Sequence, residues 1–420
     1  MTPGAPHMDH YPELSLAERD RRWQGARALM EERDLDALLI VGDRDGSGPP
    51  QYNLDVYFTC ERPGSVVIFP REGDPVVHVW SPNCLTDNME SVRRGDQVWV
   101  EPGQFRIGKS SAPLLETIEE MGLSRARFGV ANLEPFGPLY PEGSMPWVTY
   151  ERIRAALPAA SFESVGTPLV DLTMIRSPEE IECMRKSAMV GEAMCHAALE
   201  SARPGATEAE VYAAATAAAT LEGGSSYWMI MVSGPDRLNW GPPAWLYRPQ
   251  APRRLEDGDL LLLELFPLYA GYETQQQMTV AIGDVHPDTE RAAEAARACY
   301  ERGMEMLRPG VRFGDLIDAM DEPIQEAGGW SMTPNIHTLP LEAVGRAGIR
   351  GELPEMKAYP GAGLSDTRRP DLTLEPGTVF AFEPNCVFGR RRVNIGGTVV
   401  MSEGGCEELN QLANHLRFAS

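Results

Sequence analysis

The sequence predicts an α/β (α+β) chain: a smaller α/β domain, then a larger domain of two related α/β halves. Three observations carry this. Helical and strand-like patterns alternate over the first 160 or so residues, the mark of a layered α/β domain. A long helix with a complete start signal opens at Ser177. The stretch ARPGATEAEVYAAA (202–215) then returns as LRPGVRFGDLIDAM (307–320), each behind a long helix and ahead of a helix and strands. Pro204 and Pro309 stand 309 − 204 = 105 residues apart. The expected division is a loose tail over 1–12, an N-terminal domain over 13–165 and a C-terminal domain over 166–420.

Each element has its own reason. Leu16, Trp23, Ala26 and Met30 recur at near-helical spacing, and ALLIVG behind them reads as a short buried strand. GSVVIFP, DPVVHVW and DQVWV read as strands bounded by Gly, Pro or Asp. SAPLLETIEEMGL reads as a helix and ARFGVAN as a strand. In IRSPEEIECMRKSAMVGEAMCHAALESA, Ser177 is the expected N-cap, Pro178 takes N1 and Glu180 completes a capping box. A strand-rich stretch covers 227–282. Helices are expected from Pro287 to Leu307 and from Phe313 to Ala327, and strands again to near Leu416.

Composition narrows the function. The 420 residues carry 38 Lys+Arg against 61 Asp+Glu, a formal charge of −23. Such a chain repels phosphate backbones and anionic membrane surfaces, so no nucleic-acid or membrane partner is expected. No run approaches the roughly 18–20 apolar residues of a membrane span, and no secretory signal is visible at the N-terminus. The seven cysteines form no CxxC pair, which suits buried free thiols in a reducing cytoplasm. The three lysines (Lys109, Lys186 and Lys357) lie in no motif that suggests a Schiff base.

IRSPEEIECMRKSA, both RPG turns, EDGDLLLLELFPLYAGYETQQQMTV, the NIHT of 335–338, LEPGTVFAFEPN and GGTVVMSEGGCEEL follow one another in an order that resembles the pita-bread superfamily. That superfamily includes creatinase, prolidase, aminopeptidase P and methionine aminopeptidase. The resemblance covers 170–410; the N-terminal half is similar to the companion domain of the creatinase and prolidase branch. It implies a homodimer, and in the metallopeptidases of the fold a pair of divalent ions held by two Asp, one His and two Glu. Those five positions fall on Glu264, Gln275, His337, Glu383 and Gly396. Gln275 is neutral and Gly396 has no side chain, whereas divalent ions need several oxygen donors, ideally anionic. The histidine that follows the LE pair in prolidase-like members is replaced by Val344. The expectation is therefore an enzyme with no metal and no cofactor. LELFPLYAGYETQQQMTV looks closest to the creatinase and ectoine hydrolase branch. The active-site histidine of creatinase falls on Trp245 or Leu246 and one of its glutamates on Gln277, so creatine itself is not the expected substrate.

The residues support the same site. Glu264 sits among leucines, where burial raises a carboxyl pKa toward the range useful for proton transfer. Glu383 ends the apolar strand VFAF, and His337 lies in TPNIHTLPLE. Together the three make an acid–base set. Gln275 and Gln277 share one face of a strand, with Gln276 on the other. With Tyr272, Trp240, Trp245 and Tyr247 they are the expected substrate contacts, the aromatic residues supplying faces for a flat or cationic group. Arg390, Arg391 and Arg392 read as a solvated turn or dimer contact, with a carboxylate anchor as the alternative. The leading functional reading is hydrolysis of a C–N bond in a small amide or amidine. A proton-abstracting lyase, a single-metal Xaa-Pro-type peptidase and a non-catalytic peptide-binding module stand as alternatives.

Overall fold

Ser15 starts the first helix, α1 (Leu16–Glu32), by accepting the Glu18 N–H at 3.2 Å, one of the donors that every helix start leaves open. The computed structural model that contains it describes residues 11–42, 53–133, 145–226, 228–348, 353–360 and 363–419. The chain divides into two compact units, Glu13–Thr173 and Met174–Ser420, the latter joined by Met1–Pro12.

The first unit is built on β1 (Ala37–Val41), β2 (Val66–Pro70), β3 (Val76–Val79), β4 (Phe105–Ile107), β5 (Arg127–Val130) and β6 (Ser161–Ser164). They form one mixed sheet in the order β4-β3-β2-β1-β5-β6. Helices α2 (Leu54–Thr59), α3 (Thr86–Arg94), α4 (Ser111–Glu120), α5 (Trp147–Ala156) and α6 (Gly166–Met174) complete it. Side chains alternate along a strand. Leu38 and Ile40 therefore pack with Trp23, Met30 and Phe69 on one face, and Ala37 and Leu39 with Leu114, Ile118 and Phe128 on the other. Both faces are covered, which is why these strands read as unbroken apolar runs.

DQVWV is the exception among the expected strands: residues 96–100 are not strand, and β4 lies further on. Trp99 and Val100 are apolar because they fill the core. The Val100 carbonyl accepts from the Asn88 side chain at 2.9 Å rather than from a neighbouring strand.

The second unit opens with α7 (Pro178–Ser201), started as expected by Ser177, Pro178 and Glu180. After it come α8 (Glu208–Leu221), β7 (Met229–Gly234), β8 (Leu260–Leu265), the short pair β9 (Leu268–Tyr269) and β10 (Tyr272–Glu273), and β11 (Gln276–Ala281). The pattern returns with α9 (Pro287–Met306), α10 (Phe313–Glu326), β12 (Ile336–Thr338), β13 (Ala347–Gly348), β14 (Leu364–Ser365), β15 (Val379–Phe382), β16 (Asn385–Phe388), β17 (Arg391–Asn394), β18 (Gly397–Ser402), β19 (Gly405–Glu408) and β20 (Arg417–Phe418). Two four-stranded sheets result, β20-β11-β8-β7 and β12-β15-β18-β19.

The two halves repeat down to single hydrogen bonds. Ala206 N–H donates to Arg203 O (3.1 Å) and Val311 N–H to Arg308 O (3.3 Å). Gly205 N–H donates to Leu255 O (2.8 Å) and Gly310 N–H to Leu374 O (2.9 Å). Both glycines have left-handed backbones, with φ of 87° and 85°, which a residue without Cβ adopts at no steric cost.

Each sheet packs its helices on one face. Leu263, Leu265 and Met278 lie with Val190, Met194 and Val211, and Ile336, Phe380 and Phe382 lie with Ala296, Leu316 and Met320. The sheets meet edge to edge along 275–279 and 394–398. Gln275 N–H donates to Thr398 Oγ1 (2.9 Å), Gln277 N–H to Gly396 O (3.1 Å), and Thr279 Oγ1 to Asn394 O (2.7 Å).

Three further points bear on the sequence reading. Residues 1–10 of the expected tail lie outside the described residues, but Tyr11 and Pro12 are held: the Tyr269 hydroxyl donates to Pro12 O at 2.8 Å, and the Tyr11 ring lies 4.8 Å from Lys186 Nζ. All seven cysteines are free; Cys84, Cys183, Cys195, Cys299 and Cys386 are buried, Cys406 is half-buried and Cys60 is exposed. No helix among the described residues is long and apolar enough to cross a membrane.

Candidate active site

The site forms on the sheet faces turned away from the helices. Leu263 and Leu265 point into the helix-packed core, so alternation sends Glu264 to the opposite face. There it lies directly across from Gln277 on β11 and Ile230 on β7. The same rule acts in the second half. Ile336 and Phe382 point into the core, and His337, paired with Ala381, takes the other face, as does Glu383 just past β15.

Glu264 is buried, and the Trp240 indole N–H donates to its Oε2 at 3.0 Å. Burial and then the neighbouring Glu383 charge push its pKa up to about 8; the Trp240 hydrogen bond, His337 and Arg392 oppose the rise without cancelling it.

His337 and Glu383 form a buried pair, with Nε2 to Oε1 at 2.6 Å. The other ring nitrogen, Nδ1, lies 2.9 Å from the Thr338 carbonyl oxygen, which can only accept. Nδ1 therefore carries a hydrogen, and the proton between Nε2 and Oε1 decides whether the pair is charged. Burial alone lowers the His337 pKa. The Glu383 charge and hydrogen bond, the Thr338 carbonyl and the Glu264 charge outweigh it, and the net shift is upward.

A polar frame holds the pair. Glu383 N–H donates to Asn335 O at 2.9 Å. The Asn385 side-chain oxygen accepts from Met332 N–H (2.8 Å) and Thr333 N–H (3.2 Å), while its amide donates to Thr333 O (3.0 Å). Asn335 and Asn385 are positioning residues that sequence reasoning left out, although both lie in the quoted segments NIHT and FEPN.

The glutamines divide as alternation requires. Gln276 faces α7, where a Cβ on Gly191 would overlap its amide. Gln277 Nε2 donates to Gln275 Oε1 (3.4 Å), and Gln275 Nε2 donates to Glu273 Oε1 (3.0 Å). All three are buried, and Gln277 Oε1 has no partner among the described residues.

The aromatic residues do not converge. Trp240 is half exposed yet reaches Glu264. Trp245 meets Tyr212 edge-on at 5.7 Å. Tyr247 is exposed, with Arg248 over its ring. Tyr272 lies at the start of α7, its hydroxyl 3.3 Å from Glu180 Oε1.

Arg392 departs from the reading of a solvated RRR turn. Arg390 is exposed and Arg391 half-buried, but Arg392 is 2% exposed. On the β16–β17 hairpin it stands opposite the buried Val387, and its Nη2 donates to Thr333 Oγ1 at 2.7 Å. Its charge acts on both Glu264 and Glu383. Gly396 has φ 138°, and a Cβ there would overlap the Phe382 carbonyl oxygen. Among the described residues no group of three or more His, Cys, Asp or Glu is arranged to hold a metal ion.

Residues 182–403 match the model of metallopeptidase family M24. The chain is 26% identical over 418 residues to creatinase of Bacillus sp. (strain B-0618), covering 95% of this chain and 92% of creatinase. It is 23% identical over 310 residues to the Xaa-Pro dipeptidase of Pyrococcus furiosus, covering 71% and 83%. The crystal structure of dipeptidase PepE from Mycobacterium ulcerans superposes with a TM-score of 0.69 at 21% identity, covering 97% of this chain and 99% of that one. At that identity the likeness speaks for the fold.

Proposed function

The chain belongs to metallopeptidase family M24, and from that premise we propose that it hydrolyses a C–N bond of a small amide or amidine with carboxylate and imidazole groups in place of metal ions. The observation that carries the proposal is the His337–Glu383 contact beside Glu264. The histidine nitrogen that faces the site is engaged by a carboxylate at 2.6 Å. Two further metal-ligand positions of the fold are the neutral Gln275 and the side-chain-free Gly396. The donor set does not fit a pair of divalent ions, which need several anionic oxygens between them. Arg392 adds a fixed positive charge to the same enclosure.

In the proposed reaction Glu383, paired with the imidazolium of His337, takes a proton from water as its oxygen attacks the carbon of the C–N bond. Glu264, protonated at neutral pH, gives its proton to the departing nitrogen. Two carboxyls held at different protonation states by their surroundings can divide acid and base roles in this way. The amides of Gln275 and Gln277 and the ring of Trp240 are the proposed substrate contacts. A homodimer, as the resemblance implies, and a cytoplasmic location, as the free cysteines suggest, complete the proposal.

The test is turnover of a panel of N-acyl amino acids, cyclic amidines and Xaa-Pro dipeptides before and after exhaustive chelation. Activity should survive chelation and fall by about 10²–10⁴ in Glu264→Gln. Stoichiometric Mn, Fe, Co or Zn, with activity lost on chelation, would overturn the metal-free reading. Turnover in oxygen-18 water separates hydrolysis from elimination, because only hydrolysis places the label in the acid product.

A further inference from the structure

Arg392 is a buried cation without an anion. Its guanidinium has five N–H groups to satisfy. Of these, Nη2 donates to Thr333 Oγ1 at 2.7 Å, and Nε, wholly buried, has no partner among the described residues. Among the described residues Arg392 makes no ion pair. The two carboxyl groups that hold its pKa up are otherwise engaged: Glu383 by His337 at 2.6 Å, and Glu264 by the Trp240 N–H at 3.0 Å.

Burying a guanidinium without a carboxylate is costly, because the charge gives up water and gains no counter-ion. More accessible arginines elsewhere in this chain find partners readily; half-buried Arg185, for example, reaches both Glu182 and Glu407. The hairpin could equally hold an apolar residue opposite Val387, as Val393 does opposite Cys386. The charge is kept there instead, and its field reaches both Glu264 and Glu383.

We propose that Arg392 anchors a carboxylate of the substrate, so that the compound cleaved is an anionic N-acyl or amidino acid rather than a neutral amide. One guanidinium matches one carboxylate in charge and in its planar, two-toothed geometry. A phosphate dianion would bring a second negative charge toward Glu264 and Glu383 with nothing to offset it. Burial draws the Arg392 pKa down to about 10 while Glu264 and Glu383 hold it up, so the anchor stays charged at neutral pH. The location of the substrate rests on the hydrolase reading above. The binding test does not, because it needs no turnover.

The test is calorimetric titration of the protein at pH 7 with N-acetylglycine, N-acetyl-β-alanine and N-acetyl-γ-aminobutyrate, each against its uncharged amide, and with inorganic phosphate. At least one carboxylate should bind about tenfold or more tighter than its amide, roughly what one charge-assisted contact supplies. Arg392→Met should erase that preference while leaving the melting temperature unchanged or raised, since it removes an unpaired buried charge. If Arg392→Met does not fold, Arg392→Lys carries the measurement, and its preference should shrink several-fold. Equal binding of acid and amide by the wild type, a preference that survives substitution, or tighter binding of phosphate would each overturn the assignment. Carboxylate-selective binding with no hydrolysis of any compound would sink the proposed reaction and leave the anchor standing.

Discussion

His337 Nε2 lies 2.6 Å from Glu383 Oε1, and the opposite ring nitrogen is tied to the Thr338 carbonyl. Neither nitrogen is idle, so the ring cannot turn without breaking two contacts. Removing it leaves Glu383 buried without its partner. His337→Ala should therefore lose about 3–5 kcal/mol of stability at neutral pH, read by denaturant melts. A double-mutant cycle with Glu383→Gln should show strong coupling, because the second substitution removes the charge that the first leaves stranded.

The sign of the pH dependence follows from the raised His337 pKa. A histidine whose folded pKa exceeds its unfolded value binds more protons when folded. Its stabilisation is complete below about pH 6.5 and is lost as pH rises through the folded value. The difference in stability between wild type and His337→Ala should thus narrow on the alkaline side.

Glu264 gives a second limb. As the proton donor it must be protonated, so kcat should fall as pH rises through about 8. The groups facing it are Glu383, His337, Arg392 and the Trp240 N–H. Its raised pKa also costs stability, because over the interval between the two values the folded state holds a proton that the unfolded state has already released. Between about pH 4.5 and 8 wild-type stability should decline on this account, by on the order of 5 kcal/mol. Glu264→Gln should flatten that slope in a series of thermal melts.

Trp240→Phe keeps an aromatic ring and removes the N–H. That hydrogen bond favours the ionised carboxyl, so its loss should move the alkaline limb upward, by roughly half a pH unit. A downward movement in the pH–rate profile would show that the indole acts otherwise.

Gly396→Glu, which restores the family's carboxylate in sequence, should not restore a metal site. The Cβ would meet the Phe382 carbonyl at a backbone φ of 138°. A destabilisation of about 2 kcal/mol or more is expected, with no rise in metal content by elemental analysis. Gly396→Ala should carry most of the same loss.

Much of this was legible in the sequence. The RPG echo found the repeated frame because a turn glycine and a capped helix leave local marks. Apolar flanks and the resemblance single out Glu264, His337 and Glu383, and the fold buries all three. Tertiary context hid the rest. Three consecutive arginines in an acidic chain look like surface, and only the pairing of Arg392 with Val387 turns one of them inward; a register shift of one residue would have chosen another. DQVWV has strand-like composition, yet its apolar residues serve the core without joining the sheet. Asn335 and Asn385 carry no periodic signal, since their role depends on a loop and the start of β16 that meet only in the fold.

The edge where 275–279 meets 394–398 has a mechanical meaning. Glu264 is carried by one half of the larger unit, and His337, Glu383 and Arg392 by the other. Any sliding of one edge along the other changes the spacing of the reacting groups before it disturbs either hydrophobic core. The threonine hydroxyls at 279 and 398 stand in for backbone partners and hold the alignment from both sides. The amide hydrogens of Gln275, Gln277 and Asn394 should therefore exchange with solvent as one group, and a bound molecule that spans both halves should slow all three together, acting as a dowel between two plates.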